Sequence, residues 1–267
     1  MDFDEINRRG LVLIGCGRMG GAMLTGWLNS GIAPSSVTVS DPNADPAWAE
    51  RGVRLNRQPP DNPAVLVLAV KPQMIGDVLS GLPIGPDTLL LSVAAGVTLD
   101  RYAMAFPGAR IVRAMPNTPA AIGRGITAII GNAAAGRAAL EMAEALLSVV
   151  GEVVRLSDEA QMDAVTALSG SGPAYVFHMI EAMTQAGIAQ GLPADLALNL
   201  ARATVAGAGA LAMHDDTPPA ALREAVTSPG GTTAAGLAQL MDAKAGLVPL
   251  MARTVAAAAD RSRELGR

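Results

Sequence analysis

The string Gly15-Cys16-Gly17-Arg18-Met19-Gly20 directly follows the apolar run Leu11-Val12-Leu13-Ile14 and opens a helical stretch reaching to about Ser30. Strand, glycine turn and helix in that order form the first half of a βαβ unit built for a nucleotide. Gly15 makes the tight turn, Gly17 lets backbone amides approach a diphosphate, and Gly20 lets helix and strand pack closely. Arg18 and Met19 begin the helix, whose N-terminus offers free N–H groups and a partial positive charge. Residues 15–20 are therefore expected to hold a dinucleotide. Glycine is abundant, with 29 residues, so a ligand-free glycine turn is the competing reading; the position after the first strand favours the nucleotide. Cys16 reads as a small buried filler rather than a catalytic thiol.

Further apolar runs follow at 37–40, weakly at 53–55, and at 65–70, 89–93, 110–113, 126–130 and 152–156, with helical stretches between them. Continuous rather than alternating apolar runs suit a parallel sheet covered on both faces. The fold class expected is α/β: an N-terminal doubly wound Rossmann domain over residues 1–157, followed by an all-helical domain over 158–267. In the second part Gly191-Leu192-Pro193 and Thr217-Pro218-Pro219 punctuate the helices, and Ser171-Gly172-Pro173 offers a helix start.

Ser40 and Asp41 close the second strand, and Asp41 stands 21 residues after Gly20. An acid there grips the ribose 2′-hydroxyl of NAD and repels the 2′-phosphate of NADP. Asp41 thus points to NADH. Arg51, Arg54 and Arg57 follow and could serve a 2′-phosphate instead, but a solvated basic face is the favoured reading of them.

Composition excludes several other functions. Aromatic residues make up 3% of the chain and the formal net charge is -4, so neither a base-stacking platform nor a phosphate-neutralising surface is expected. Nucleic acid is not an expected partner. The apolar runs are too short to span a bilayer, and the acidic, polar start MDFDEINRRG does not read as a signal peptide. One cysteine cannot staple the fold, which fits a cytoplasmic protein. The two histidines, His178 and His214, and the single cysteine show no metal-ligand spacing, so no metal is expected. His178, within an apolar helical stretch, reads as a core or interface histidine, and His214 as a surface one. Apolar residues nevertheless reach 50% and mean hydropathy is +0.33. That excess implies a subunit interface as well as a core.

Four later segments carry more specific information: Ala69-Val70-Lys71-Pro72, Val112-Arg113-Ala114-Met115-Pro116-Asn117-Thr118-Pro119, Leu168-Ser169-Gly170-Ser171-Gly172-Pro173-Ala174-Tyr175, and Ser228-Pro229-Gly230-Gly231-Thr232-Thr233. In order and spacing the chain resembles the pyrroline-5-carboxylate reductase family over nearly its whole length. The resemblance implies reduction of a cyclic imine by NAD(P)H to give proline. It also implies a helical domain that interlocks with a second copy to form a homodimer, with higher assembly open. Cofactor contacts would come from the glycine-rich loop and residues Ala69, Val70, Lys71 and Pro72, and substrate contacts from the segment beginning at Ser228. Family members that prefer NADPH often carry Ser or another small polar residue where Asp41 stands, so Asp41 is a departure.

The residue types suit this chemistry. Ser228, Gly230, Gly231, Thr232 and Thr233 precede a helical stretch expected from 234 to about 243 and combine exposed amides, hydroxyls and a helix N-terminus, a setting for the substrate carboxylate. No acidic residue lies between Glu224 and Asp242 to oppose it. An ordinary Ser/Thr helix cap is the plain alternative. Thr233 is the residue that the resemblance places near the imine nitrogen, as catalytic hydroxyl. Lys71, after a strand ending at the cofactor edge, and Asn117, between two prolines, are candidate cofactor contacts; a solvated lysine and a rigid turn are their plain alternatives.

Two other functions fit parts of the pattern. A β-hydroxyacid dehydrogenase also joins a Rossmann domain to a helical one, but would need a lysine at the hydride-transfer site, and Lys244 alone follows residue 157, beyond the Gly-Gly-Thr-Thr segment. A non-catalytic dinucleotide sensor would leave the segment 228–233 without a purpose.

Overall fold

In a computed structural model, which describes residues 3–266, the buried apolar runs become the strands of one sheet. The strands are β1 (Leu11–Ile14), β2 (Val37–Ser40), β3 (Arg54–Leu55), β4 (Val65–Leu68), β5 (Leu89–Ser92), β6 (Arg110–Met115), β7 (Gly125–Gly131) and β8 (Gly151–Arg155). Among the described residues they form one eight-stranded sheet in the order β3-β2-β1-β4-β5-β6-β7-β8. Neighbours are parallel except β6 and β7, which pair antiparallel. Only the short segment 116–124 joins those two strands, and a parallel pairing would need a crossover of a dozen or more residues.

Side chains alternate across the sheet with the period of two that a strand imposes. Leu11, Leu13, Val65, Val67, Leu89 and Leu91 face one cluster, while Val12, Ile14, Leu66, Leu68 and Leu90 face the other. The first cluster is covered by α2 (Arg18–Asn29), through Met23, Leu24 and Trp27, and by α6 (Gly136–Leu147), through Ala139, Ala143, Leu146 and Leu147. The Trp27 indole N–H donates to the Leu146 carbonyl at 2.8 Å. That bond lets the largest buried side chain of this face desolvate without leaving an unpaired donor, which would cost about 1–3 kcal/mol. The second cluster is covered by α4 (Ile75–Leu79) and α5 (Leu99–Ala105). Short helices α1 (Asp4–Arg9) and α3 (Ala47–Glu50) complete the strand-bearing part.

No strand follows β8 among the described residues. A capping box at Asp158 starts a helical run that passes through α7 (Met162–Val165) and a π-helical turn (Thr166–Gly170) before α8 (Gly172–Ala189). Then come α9 (Ala194–Ala212), α10 (Pro219–Ala225), α11 (Thr232–Leu240) and α12 (Leu247–Leu265). The prolines at 193 and 219 mark the starts expected of them, at the N-cap of α9 and the first position of α10. Helix α11 begins two residues before the expected 234 because Gly231 already serves as its N-cap.

Two compact units emerge: one runs to Ser171 and includes the residues from Ala258 onward, the other is Gly172–Ala257. The change from strands to helices falls at residue 158, but the first helical turns and the end of α12 belong with the sheet. The second unit buries little. Ala197 and Ala201 of α9 are buried, whereas Phe177, Met179, Leu196, Leu200 and Val248 are among its large apolar side chains left exposed. An apolar surface of that extent marks an interaction face. His178, read above as core or interface, has its side chain 82% exposed and pairs with Glu181 at 3.1 Å; it is not a core residue. No helix is long and apolar enough to cross a membrane among the described residues.

Candidate functional site

The carboxyl ends of the parallel strands carry the cofactor candidates, at the edge where ligands of such sheets bind. Gly15 has φ +91° and a Cβ there would lie 2.8 Å from the Ala69 carbonyl oxygen, so only glycine fits. At Gly20 an added Cβ would overlap the Gly15 carbonyl, which is the close helix–strand approach expected of that position. Gly17 is the N-cap of α2 and an added Cβ would meet nothing within 4 Å. Its open side leaves the loop amides accessible, so the cradle fits a dinucleotide diphosphate. Arg18 is exposed and Met19 half-buried at the first turn of α2.

Asp41 does more than end the second strand. Its Oδ2 accepts the Cys16 N–H at 2.7 Å, and Oδ1 accepts the Asn43 N–H at 2.8 Å. The Ser40 carbonyl accepts the Gly15 N–H at 3.0 Å, so both residues at the end of β2 tie directly to the glycine-rich loop. Asn56 brackets Asp41 from β3: its amide accepts the Asp41 N–H at 2.9 Å and donates to the Asp41 carbonyl at 3.0 Å. The Cys16 thiol is pushed up to about 11 by burial first, then by the charges of Asp41 and Asp45. It is therefore protonated at neutral pH, as a filler residue would be. Arg51 lies over the Trp48 ring at 4.9 Å, an exposed cation–π contact.

Ala69 is anchored to β1 by its N–H to the Ile14 carbonyl at 2.8 Å. Beyond it, Val70 is half-buried and Lys71 and Pro72 are exposed, with Lys71 capping a short 3-10 turn. Asn117 follows β6 on the same edge. Its Oδ1 accepts the Ile126 N–H at 3.0 Å and its Nδ2 donates to Ser169 Oγ at 3.3 Å. One end of the amide thus holds the turn between β6 and β7, and the other ties that turn to the segment at Ser169. A Cβ on Gly170 would lie 2.6 Å from the Met115 methyl. The sequence segments 112–119 and 168–175, distant in the chain, are brought together by these two contacts. The second contains the π-helical turn, where the Ser171 N–H reaches the Thr166 carbonyl at 2.8 Å; such turns occur often at functional sites.

A polar group that the sequence reading did not single out lies beside them. Arg113, only 5% exposed, pairs with Glu159 at 2.6 Å, and the same carboxylate oxygen accepts the Leu99 N–H at 2.9 Å. Ser92 and the buried Tyr102 hydroxyl share a 2.6 Å hydrogen bond. Burial pushes the Tyr102 phenol up, and the Ser92 bond and nearby Arg113 and Arg101 offset part of that rise. The one sequence signal for this group is a charge inside the apolar run Val112-Arg113-Ala114, since a buried charge demands a partner.

In the second unit, Ser228-Pro229-Gly230-Gly231 form a turn closed by the Gly231 N–H to the Ser228 carbonyl at 3.0 Å, with Gly230 at φ +71°. The Ala235 N–H bonds to the Gly231 carbonyl as α11 begins, so the amides of Thr232, Thr233 and Ala234 precede the helical ladder. Thr232 and Thr233 are exposed, and no acidic residue occupies the first turn. The amides and hydroxyls are arranged to receive an anion. A depression of about 320 Å³, lined by Arg223, Glu224, Thr227, Ala234, Leu237, Ala238 and Met241, flanks the turn.

Comparison with known proteins covers both parts of the chain. The family model for pyrroline-5-carboxylate reductase dimerisation matches residues 159–265, and the model for NADP oxidoreductase, coenzyme F420-dependent, matches residues 10–96. The pyrroline-5-carboxylate reductase of Synechocystis sp. is 42% identical over 96% of this chain and 98% of its own, and that of Pisum sativum 40% identical over 96% and 95%. Among solved structures, a pyrroline-5-carboxylate reductase from Coxiella burnetii superposes with a TM-score of 0.85 at 33% identity, covering 97% of this chain and 99% of its own. The Plasmodium falciparum pyrroline carboxylate reductase with NADP bound gives 0.81 at 29%, covering 98% and 99%. A dimerisation domain implies an oligomer, and the nucleotide-binding half places the chain among NAD(P)-dependent oxidoreductases. Because the likeness runs through the helical half as fully as through the nucleotide-binding half, the chain belongs to the pyrroline-5-carboxylate reductase family.

Proposed function

We propose that the protein reduces the C=N bond of 1-pyrroline-5-carboxylate with NAD(P)H to give L-proline, the last step of proline biosynthesis. The observation that carries this reading is the match over 96% of the chain to reductases of that name from a cyanobacterium and a plant. The geometry agrees with it: a glycine cradle suited to a diphosphate in one unit, and an anion-ready helix start in the other.

When bound, the reduced nicotinamide supplies the hydride to the imine carbon. The chain's own residues do the rest. Gly15, Cys16, Gly17, Arg18, Met19 and Gly20 hold the diphosphate, with Ala69, Val70, Lys71 and Pro72 along the carboxyl edge of β4. Asn117 shapes that edge by fixing the turn after β6. Ser228, Gly230, Gly231, Thr232 and Thr233 take the substrate carboxylate through amides and hydroxyls. Thr233 is the catalytic residue of this reading: its hydroxyl hydrogen-bonds the imine nitrogen, directly or through a water that relays a proton, as hydride reaches the neighbouring carbon. A free hydroxyl is too weak an acid to act alone; its role is to orient the nitrogen.

Asp41, with Ser40 beside it, carries the cofactor preference. A carboxylate against the glycine-rich loop accepts from ribose hydroxyls and repels a 2′-phosphate, so NADH is the preferred reductant. The exposed apolar faces of α8 and α9 support an interlocked homodimer, with larger assemblies built from it. A cytoplasmic location rests on the single thiol, which forms no disulfide within the chain. The direct test is product analysis: one L-proline should form for each dinucleotide oxidised. Oxidation of NAD(P)H without proline would contradict the assignment.

A further inference from the structure

The loop between β5 and α5, residues 93–98, leaves the sheet at the same carboxyl edge as Gly15 and Ala69, in the row of strand ends that bounds the ligand crevice. The Val93 N–H bonds to the Leu68 carbonyl at 2.9 Å, so the loop starts beside the strand that leads to Lys71 and Pro72. Ser92 anchors its first turn, accepting the Ala94 N–H at 3.2 Å while it pairs with Tyr102. At its far end Thr98 caps α5 by accepting the Arg101 N–H at 3.3 Å. The Leu99 N–H is left for a partner outside the helix, and that partner is Glu159, 60 residues away.

Glu159 is held in its turn. Its Oε1 receives both the Leu99 N–H and the guanidinium of Arg113, which rises from the middle of β6 and is almost wholly buried. Removing the carboxylate paired with a buried cation is costly, so the pair is fixed in one arrangement. Four residues on, Asp163 accepts from Ser262 at 2.6 Å. That bond docks the end of α12, where the Leu265 carbonyl lies 3.5 Å from the place a Cβ on Gly96 would occupy. The loop is therefore gripped at its start by Ser92, at its middle by the end of α12 and at its end by Glu159.

We infer that Glu159, locked by Arg113, is a positioning residue for the reductase: it fixes the β5–α5 loop, which bounds the nicotinamide half of the site. The inference rests on the proposed function for its kinetic consequence, not for the anchoring itself. The effect of Glu159 on the reaction passes through the loop it holds, by way of the Leu99 N–H. A misplaced loop should slow hydride transfer and weaken substrate binding while leaving the diphosphate cradle intact.

The test compares Glu159→Ala, Glu159→Gln and the unaltered full-length protein. Three quantities are read: steady-state kinetics with pyrroline-5-carboxylate, NADH affinity by quenching of tryptophan fluorescence, and backbone hydrogen exchange over residues 93–105. For Glu159→Ala, kcat/KM should fall about tenfold or more, NADH affinity should stay within about twofold, and exchange should accelerate in the loop. Glu159→Gln keeps an acceptor for the Leu99 N–H but not the charge that holds Arg113, so its turnover and loop exchange should lie between those of Glu159→Ala and of the unaltered protein. Unchanged turnover and exchange in a folded Glu159→Ala protein would overturn the inference, as would a loss of NADH affinity equal to the loss of turnover. Should Glu159→Ala not fold, Glu159→Gln decides: faster loop exchange than in the unaltered protein supports the anchoring, and identical exchange and kinetics contradict it. If the unaltered protein itself does not turn over this imine, the functional reading fails, and loop exchange still reports on Glu159.

Discussion

The Cys16 backbone N–H donates to Asp41 Oδ2 at 2.7 Å, so the carboxylate at the end of β2 is part of the glycine-rich loop as well as its neighbour. A negative charge held against the loop proposed to bind the diphosphate opposes a second phosphate on the ribose. Asp41→Ser should raise the ratio of kcat/KM for NADPH over NADH by about tenfold or more, equivalent to ~1.4 kcal/mol. Parallel steady-state assays with the two reductants measure it. An unchanged ratio would remove Asp41 from the specificity of the site.

The glycines of the loop separate folding from binding. Gly20→Ala forces a methyl group onto the Gly15 carbonyl and should destabilise the protein by ~1–3 kcal/mol, visible as a lowered melting temperature. Gly17→Ala meets nothing in the free protein. Its stability should stay within about 0.5 kcal/mol, while dinucleotide affinity should fall about tenfold because the backbone no longer closes on the diphosphate. Full affinity in Gly17→Ala would show that the amides do not approach the ligand there.

Thr233 is exposed in the first turn of α11, so Thr233→Ala should change stability by no more than about 0.5 kcal/mol. Turnover should nevertheless drop at least about tenfold with NADH affinity unaltered, and Thr233→Ser should restore most of it. A Thr233→Ala protein that turns over normally would deny the hydroxyl its role.

Much of the fold is legible in the sequence because sheet strands covered on both faces must be apolar throughout. Residues 65–68 and 89–92 are fully buried and stand out as runs. Strand direction is not encoded in such a run, and the antiparallel β7 follows from the shortness of segment 116–124 rather than from its own residues. The Ser171-Gly172-Pro173 string reads as the start of a helix, yet the chain is already helical from Glu159. A π-helical turn carries it past Gly170, because the Ser171 N–H can reach back to Thr166. Glycine loops are legible because their chemistry is local. The Arg113–Glu159 pair is not, since its partners are 46 residues apart and only the folded sheet brings them together.

Cys16 gives a pH prediction. Burial and the charges of Asp41 and Asp45 raise its thiol from 9.0 to about 11, so the neutral form prevails below that pH. Alkylation should be slow at neutral pH compared with an unfolded control and should quicken as pH rises towards 11. In Asp41→Ser the rise should begin at lower pH, though not at that of a free thiol, because burial is the larger cause. Rapid alkylation of the unaltered protein at neutral pH would contradict the packed environment of Cys16.

Oxidation of NADH and of NADPH by pyrroline-5-carboxylate, followed side by side, shows whether the protein reduces this imine and with which dinucleotide. Rapid oxidation, faster at low concentration with NADH than with NADPH, is the predicted result. Protein that binds the dinucleotide but oxidises neither form with this imine would contradict it.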